Sequence, residues 1–273
     1  MRNHQMLLRL SSPVLLLVGA LGIGAAQGYP NGPLIHVSDL APACAGCHSS
    51  MSADQVRNLP PDFAAKQVVG GKHYQAILSG AGAYKDLSQA DREKLVEDLK
   101  LLDANSTVSL SAPSTAARGQ DITVTVTVKG GAGPVVGVTL LDSNLRYQAR
   151  PVASDGWVVV GSPKVIGPDG AEQTKWVDSR AEGLKKNLSF VLVFGVKSDL
   201  AQKSFPEAKV TWTLRAPQEA GRYTIAAAFM YGSEKASAIG AVPQVGGGFL
   251  PRGGGSAPSG HLKFTPLATI TIN

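Results

Sequence analysis

From Asp121 to Lys129 the chain alternates strictly, with Ile122, Val124, Val126 and Val128 on one side and Thr123, Thr125 and Thr127 on the other. A period of two predicts a strand with one buried face. Val135–Leu141, Gly156–Val160, Leu188–Val196, Lys209–Arg215, Arg222–Tyr231 and Leu262–Ile272 are further strand candidates. Turn signals separate them at Asp142-Ser-Asn144, Asp155-Gly156 and Pro168-Asp-Gly170. A succession of short strands with such punctuation predicts an antiparallel β-sandwich over residues 106–273. Trp157, Trp176 and Trp212 read as packing residues of that sandwich. The glycine-rich run 246–260 reads as a loop between late strands, with His261 solvated beside it.

The pattern changes before residue 106. Leu95, Leu99 and Leu102 recur at i, i+4 and i+7, which predicts a helix from about Ser88 to Asp103 with one apolar face. Ser88 and Asp91 stand at capping-box spacing at its start. A shorter helix is predicted from Lys72 to Leu78, ending at Gly80, and Asn58-Leu59-Pro60-Pro61 reads as a turn or extended loop. The expected fold class is therefore two domains: a small all-α domain over residues 29–105, then the all-β sandwich. Such a short helical region has a thin core of its own.

Residues 1–28 read as a secretory signal peptide. Arg2 and Arg9 give the positive front, Val14 to Ile23 is apolar apart from glycines, and Gly24-Ala25-Ala26 or Ala26-Gln27-Gly28 offers small residues for cleavage. That apolar stretch is shorter than the roughly 20 residues of a membrane span, and no later segment qualifies. The expected location is periplasmic or extracellular. Without Arg2 and Arg9 the 26 Lys and Arg fall to 24, against 20 acidic residues. These charges are scattered, without basic runs interleaved with aromatics, so no nucleic-acid partner is expected. The mild positive balance suits an acidic redox partner or an ordinary solvated surface.

The densest chemistry lies in Cys44-Ala-Gly-Cys47-His48, which contains both cysteines of the 273-residue chain. Two thiols at this spacing can form thioether bonds to the vinyl groups of one haem, with the adjacent imidazole reaching the iron. A disulfide between them would close a tiny loop with little entropic gain. A thioredoxin-like pair expects a strand before it, which Tyr29-Pro30-Asn31-Gly32-Pro33 does not supply. Structural zinc wants four ligands, and no second Cys/His pair exists. Covalent haem on Cys44 and Cys47, with His48 as proximal ligand, is the expectation.

Cys44 to His48, the loop through Pro60, His73-Tyr-Gln-Ala-Ile-Leu-Ser-Gly80 and Leu87-Ser-Gln-Ala-Asp-Arg-Glu-Lys-Leu95 together resemble a small class I cytochrome c. The resemblance implies an all-α haem domain and one-electron transfer with a redox partner protein. Two departures stand out. Pro30, Pro33 and Pro42 break up the helix usually found before the haem motif. The stretch Gly80-Ala-Gly-Ala-Tyr84-Lys-Asp86 lacks the family's axial methionine. His73 is then the candidate distal iron ligand, ahead of His36, Met51, Met230 and His261, and Tyr84 is assigned to packing or to bonding a haem propionate. The segment from Trp212-Thr-Leu-Arg-Ala-Pro217 through Gly221-Arg-Tyr-Thr resembles a reeler-type sandwich, which implies adhesion or docking at a cell surface or in a complex. The leading expectation is an exported monohaem electron carrier positioned by its sandwich. The alternatives are a haem sensor or small-ligand enzyme with an open sixth site, and an adhesion protein with auxiliary haem.

Overall fold

The structure is a computed structural model and describes residues 56–65, 68, 74–81, 84–145, 149–178, 180, 185–232, 241–243, 249–251 and 261–273. Among these residues the strands are β1 (Thr107–Ser111), β2 (Thr115–Ala116), β3 (Asp121–Lys129), β4 (Ala132–Leu141), β5 (Val158–Ile166) and β6 (Phe190–Phe194). They continue with β7 (Glu207–Arg215), β8 (Gly221–Gly232), β9 (Ala241–Pro243), β10 (Phe249–Pro251), β11 (His261–Phe264) and β12 (Ala268–Ile272). The helices are α1 (Pro61–Ala65), α2 (Gln75–Leu78), α3 (Gln89–Asn105) and α4 (Lys175–Asp178).

Two sheets form a β-sandwich. One has the order β1-β3-β7-β5; the other runs β2-β12-β8-β4-β6, with β11 also paired to β8. The alternation of β3 works as the sequence implies: Ile122, Val124, Val126 and Val128 are buried, and the threonines point outward. Its partner β7 buries Ala208, Val210, Trp212 and Leu214, with Val124 opposite Trp212 and Val126 opposite Val210. From the second sheet, Val136, Val138, Leu140, Ile225, Ala227 and Phe229 close on the same apolar core. The pairing of β2 with β12 is parallel, so the second sheet is mixed rather than wholly antiparallel.

The six-stranded sheet is also covered on its outer face, which explains why Phe190 to Val193 of β6 are all buried. Trp176 of α4 meets Phe190 edge-on at 5.6 Å, and the Arg180 guanidinium lies 3.8 Å from the Trp176 ring centre. Gly137 makes room there: a Cβ on it would stand 2.9 Å from the Phe190 ring.

The long helix behaves locally as expected. The Ser88 hydroxyl accepts from the Asp91 N–H at 3.1 Å and donates to the Asp91 carboxylate at 2.7 Å, capping α3. Gly80 takes a left-handed φ of 72° and stops the chain after α2.

What the helix packs against differs from the expectation. Leu95, Val96, Leu99 and Leu102, together with Tyr74, Ile77 and Tyr84, belong to the same apolar cluster as the sandwich residues. The junction is tight. The buried Ser106 hydroxyl donates to Leu102 O at 2.7 Å and accepts from Gly131 N at 2.8 Å. Gly130 and Gly131 turn the chain from β3 into β4 there, with φ of 77° and 85°. A Cβ on Gly130 would meet Asn105 O at 2.5 Å, so only glycine lets the helix end sit so close.

The two-domain fold class with a leading all-α domain is therefore corrected. The described residues are mainly β-structure, α1, α2 and α4 have at most 5 residues, and the 17-residue α3 buries its leucine face in the sandwich's own apolar cluster. A helical domain built around a cofactor would instead turn that face inward on itself. The resemblance to a class I cytochrome c, which implied that domain, is withdrawn for the same reason. No haem-binding group of side chains is assembled among the described residues.

Two local expectations also change. The strand predicted as Leu262–Ile272 divides into β11 and β12 around Pro266, which lacks the N–H a ladder needs. The expected loop 246–260 contains β10, paired antiparallel with β9; residues 246–248 and 252–260 lie outside the described residues. No helix among the described residues is long and apolar enough to cross a membrane.

Candidate functional site

Asp103, in the last turn of α3, collects more polar partners than any ordinary helix residue requires. Its Oδ1 accepts from the Tyr231 hydroxyl at 2.9 Å and stands 2.8 Å from His261 Nδ1; its Oδ2 accepts from the Tyr74 hydroxyl at 2.9 Å. One carboxylate thus joins the start of α2, strand β8 and strand β11. Lys263 Nζ donates to the backbone oxygens of Asp103 and Ser106, the latter at 2.8 Å. A cation on the last carbonyls of a helix complements its dipole.

The strands dictate this convergence. His261 lies directly opposite Tyr231 in the β11–β8 ladder, and Lys263 is two residues on, on the same face. The Tyr231 and His261 rings meet edge-on at 5.9 Å. The side chains of His261 and Asp103 are only 13% and 14% exposed, so this contact is far less open to solvent than a surface pair. With Nδ1 facing a carboxylate, Nδ1 carries the proton and the tautomer is fixed.

The electrostatics follow from burial and proximity. Burial pushes the Asp103 carboxyl up, but the hydrogen bond and charge of His261, with the Tyr231 and Tyr74 hydroxyls, outweigh it and hold the group below the usual carboxylate range. Burial, then the Asp103 charge and hydrogen bond, raise both Tyr74 and Tyr231, so both phenols stay protonated donors. Burial lowers Lys263, and Asp103 pulls it part of the way back.

A pH dependence follows. Because the folded carboxyl of Asp103 is depressed, its contribution is complete above the unfolded value near 3.9 and is lost as pH falls through the folded one. Stability is expected to drop on acidification below about pH 4. Asp103→Asn should flatten that limb, measured as the difference in denaturation midpoint between the two proteins at pH 3 to 6. An unchanged difference across that range would contradict the assignment.

Cys44, Cys47, His48 and His73 lie outside the described residues, as do His36 and Met51. His261 is not the solvated loop residue expected but a paired strand residue bound to Asp103. Met230 is part of β8 beside Leu262, and Tyr84 is buried among apolar neighbours as a packing residue. Trp157 and Trp212 are core residues, Trp212 donating to Leu188 O at 2.7 Å.

The Asp103 junction was missed by sequence reasoning. Its one signal was the alternation His261-Leu-Lys263-Phe, with polar and apolar residues on opposite faces of a short strand. Elsewhere, a groove between α3 and the 197–201 segment holds Lys94, Asp98, Lys197 and Asp199. Lys94 already binds Asp98 at 3.0 Å, and the mixed charges there do not converge on a point.

No family model matches this chain, and no curated protein matches it. The reeler-type resemblance is withdrawn with the cytochrome one, and what stands is a β-sandwich.

Proposed function

We propose that the chain is an exported one-electron carrier that would hold a single haem covalently through Cys44 and Cys47, with His48 as its iron ligand and His73 as the candidate second one. This reading does not depend on a cytochrome c fold. It is carried by one observation: the only two cysteines of the chain stand two residues apart and are followed directly by histidine. The donor set fits the group, since two thiols can add to two vinyls and the adjoining imidazole is a neutral nitrogen ligand. A haem held there supplies exchange of one electron between ferric and ferrous iron. The leader-like residues 1–28 support export to a compartment where such attachment occurs.

The chain's own part is to hold and shield. Cys44 and Cys47 would fix the macrocycle to the backbone, and His48 would orient it. With His73 as a second imidazole ligand, the group would favour ferric iron relative to a histidine–methionine pair, so a low potential is expected. The sandwich gives the attached segment a large ordered carrier and a surface through which a redox partner or cell-surface assembly can be met.

The test is a redox titration of the exported protein followed by its visible spectrum. A single reversible one-electron wave, absent from the Cys44→Ala/Cys47→Ala variant, is expected. A spectrum without haem bands, or a wave that survives the double substitution, would overturn the reading.

A further inference from the structure

We propose that the Asp103 junction is an acid-sensitive clasp. It fastens the late strand β11 to the end of α3, and it lets go locally, with both sheets still folded, when the Asp103 carboxylate takes up a proton.

Away from Asp103, β11 is held lightly. Its residues pair with β8 alone, His261 to Phe264 against Tyr231 to Ala228. Leu262 is buried in a small satellite cluster with Leu141, Ala149 and Ala228, apart from the main core. Ile270 and Ile272 of β12, by contrast, lie in that main core. Between the two strands Thr265 pins the corner. Its N–H donates to Ala227 O at 2.9 Å, and its Oγ1 accepts from Ala227 N at 2.9 Å. Release therefore starts at His261 and stops at Thr265. Helix α3 stays behind, because Leu95, Leu99 and Leu102 belong to the main core.

The other face of β11 is fastened by the helix end. His261 Nδ1 stands 2.8 Å from Asp103 Oδ1, and Lys263 Nζ donates to the carbonyls of Asp103 and Ser106. Among the described residues, the titratable groups around the carboxylate are Tyr74 ahead of α2, Tyr231 from β8, and His261 and Lys263 from β11. Lys100, on α3 itself, lies over the Tyr74 ring.

Tyr74, Tyr231 and His261 already converge as donors on the two carboxylate oxygens. A proton there brings a further donor hydrogen to the same point and removes the charge that strengthens those hydrogen bonds. Lys263 is then left half-buried without the Asp103 charge that favours its cation. The folded carboxyl lies below the usual range, so the clasp is complete at neutral pH and is lost as pH falls through the folded value. Opening bares the β8 edge from Ala228 to Tyr231. Segments with few buried apolar contacts open in this way below the cost of global unfolding.

The experiment is amide hydrogen exchange on the full chain between about pH 5.5 and about pH 3, read as protection factors, which correct for the effect of pH on intrinsic exchange. The 261–265 amides should lose protection at least about tenfold at the acid end, while those of β7 change less than about twofold. Asp103→Asn should abolish the difference between the two pH values. Tyr74→Phe removes a hydrogen bond that holds the carboxyl down, so its loss of protection should set in at higher pH.

Equal losses in β11 and β7 would make the transition global and overturn the proposal. So would full protection of 261–265 at the acid end, or a loss that Asp103→Asn retains. An onset unmoved by Tyr74→Phe would place the titrating group elsewhere and overturn it too.

Discussion

Replacing Asp103 with alanine is expected to lower the stability of the fold by about 2–5 kcal/mol, the cost of taking the acceptor from two largely buried tyrosine hydroxyls and a partly buried imidazole. The loss has several parts. The Tyr74 and Tyr231 hydroxyls each lose their acceptor, and the His261 imidazole loses the carboxylate beside Nδ1. An unsatisfied buried polar group costs on the order of 1–3 kcal/mol. The exposed Lys94–Asp98 pair on the same helix offers a contrast, since pairs of that kind contribute about 0.3–0.5 kcal/mol. Urea denaturation followed by circular dichroism measures the difference directly. A loss under about 1 kcal/mol would mean that the junction is solvated and holds little together.

Trp212→Ala should be as damaging, at about 3–5 kcal/mol, for a different physical reason. The indole is fully buried at the middle of β7, opposite Val124 of β3, and its N–H satisfies Leu188 O ahead of β6. The truncation leaves a cavity between the two sheets and an unpaired carbonyl at its edge. Because Trp212 touches the shared core, α3 should melt together with the strands rather than persist alone. A helical signal that survives loss of the near-ultraviolet tryptophan signal would contradict that coupling. Phenylalanine at 212 should recover part of the packing but not the hydrogen bond.

Much of the sandwich was legible because its strands are half-buried. A period of two in β3 and β7 reports directly which residues face the core, and their pairing follows from those faces. The boundaries of β5 were harder. Gly161 and Pro163 interrupt the apolar pattern where the β5–β7 register shifts, so the predicted strand stopped at Val160 while the ladder resumes at Lys164. Apolar residues on both sides of Pro266 make 262–272 resemble one strand, but the missing N–H of Pro266 divides it into β11 and β12.

The helix shows where periodicity stops informing. Leu95, Leu99 and Leu102 reveal that one face is buried, but not whether it is buried against another helix or against a sheet. That face was assigned to a small helical domain, and the structure assigns it to the sandwich core. The Asp103 junction depends on contacts across 29 to 158 residues of sequence, which no local pattern encodes. Asp103 stands in the sequence only as the end of a predicted helix, and His261 as a solvated residue beside the glycine-rich run. Register between β8 and β11 alone places His261 opposite Tyr231.

The Cys44-Ala-Gly-Cys47-His48 motif stands apart, because the haem chemistry proposed for it rests on residue types and spacing rather than on fold. The most direct measurement is the intact mass of the exported protein after acid denaturation, from a host able to attach haem to thiols. The account predicts one species heavier than the processed chain by a single haem, reduced to the bare chain mass when Cys44 and Cys47 are both alanine. A native chain at its bare mass, or one that sheds its haem on denaturation, would contradict it.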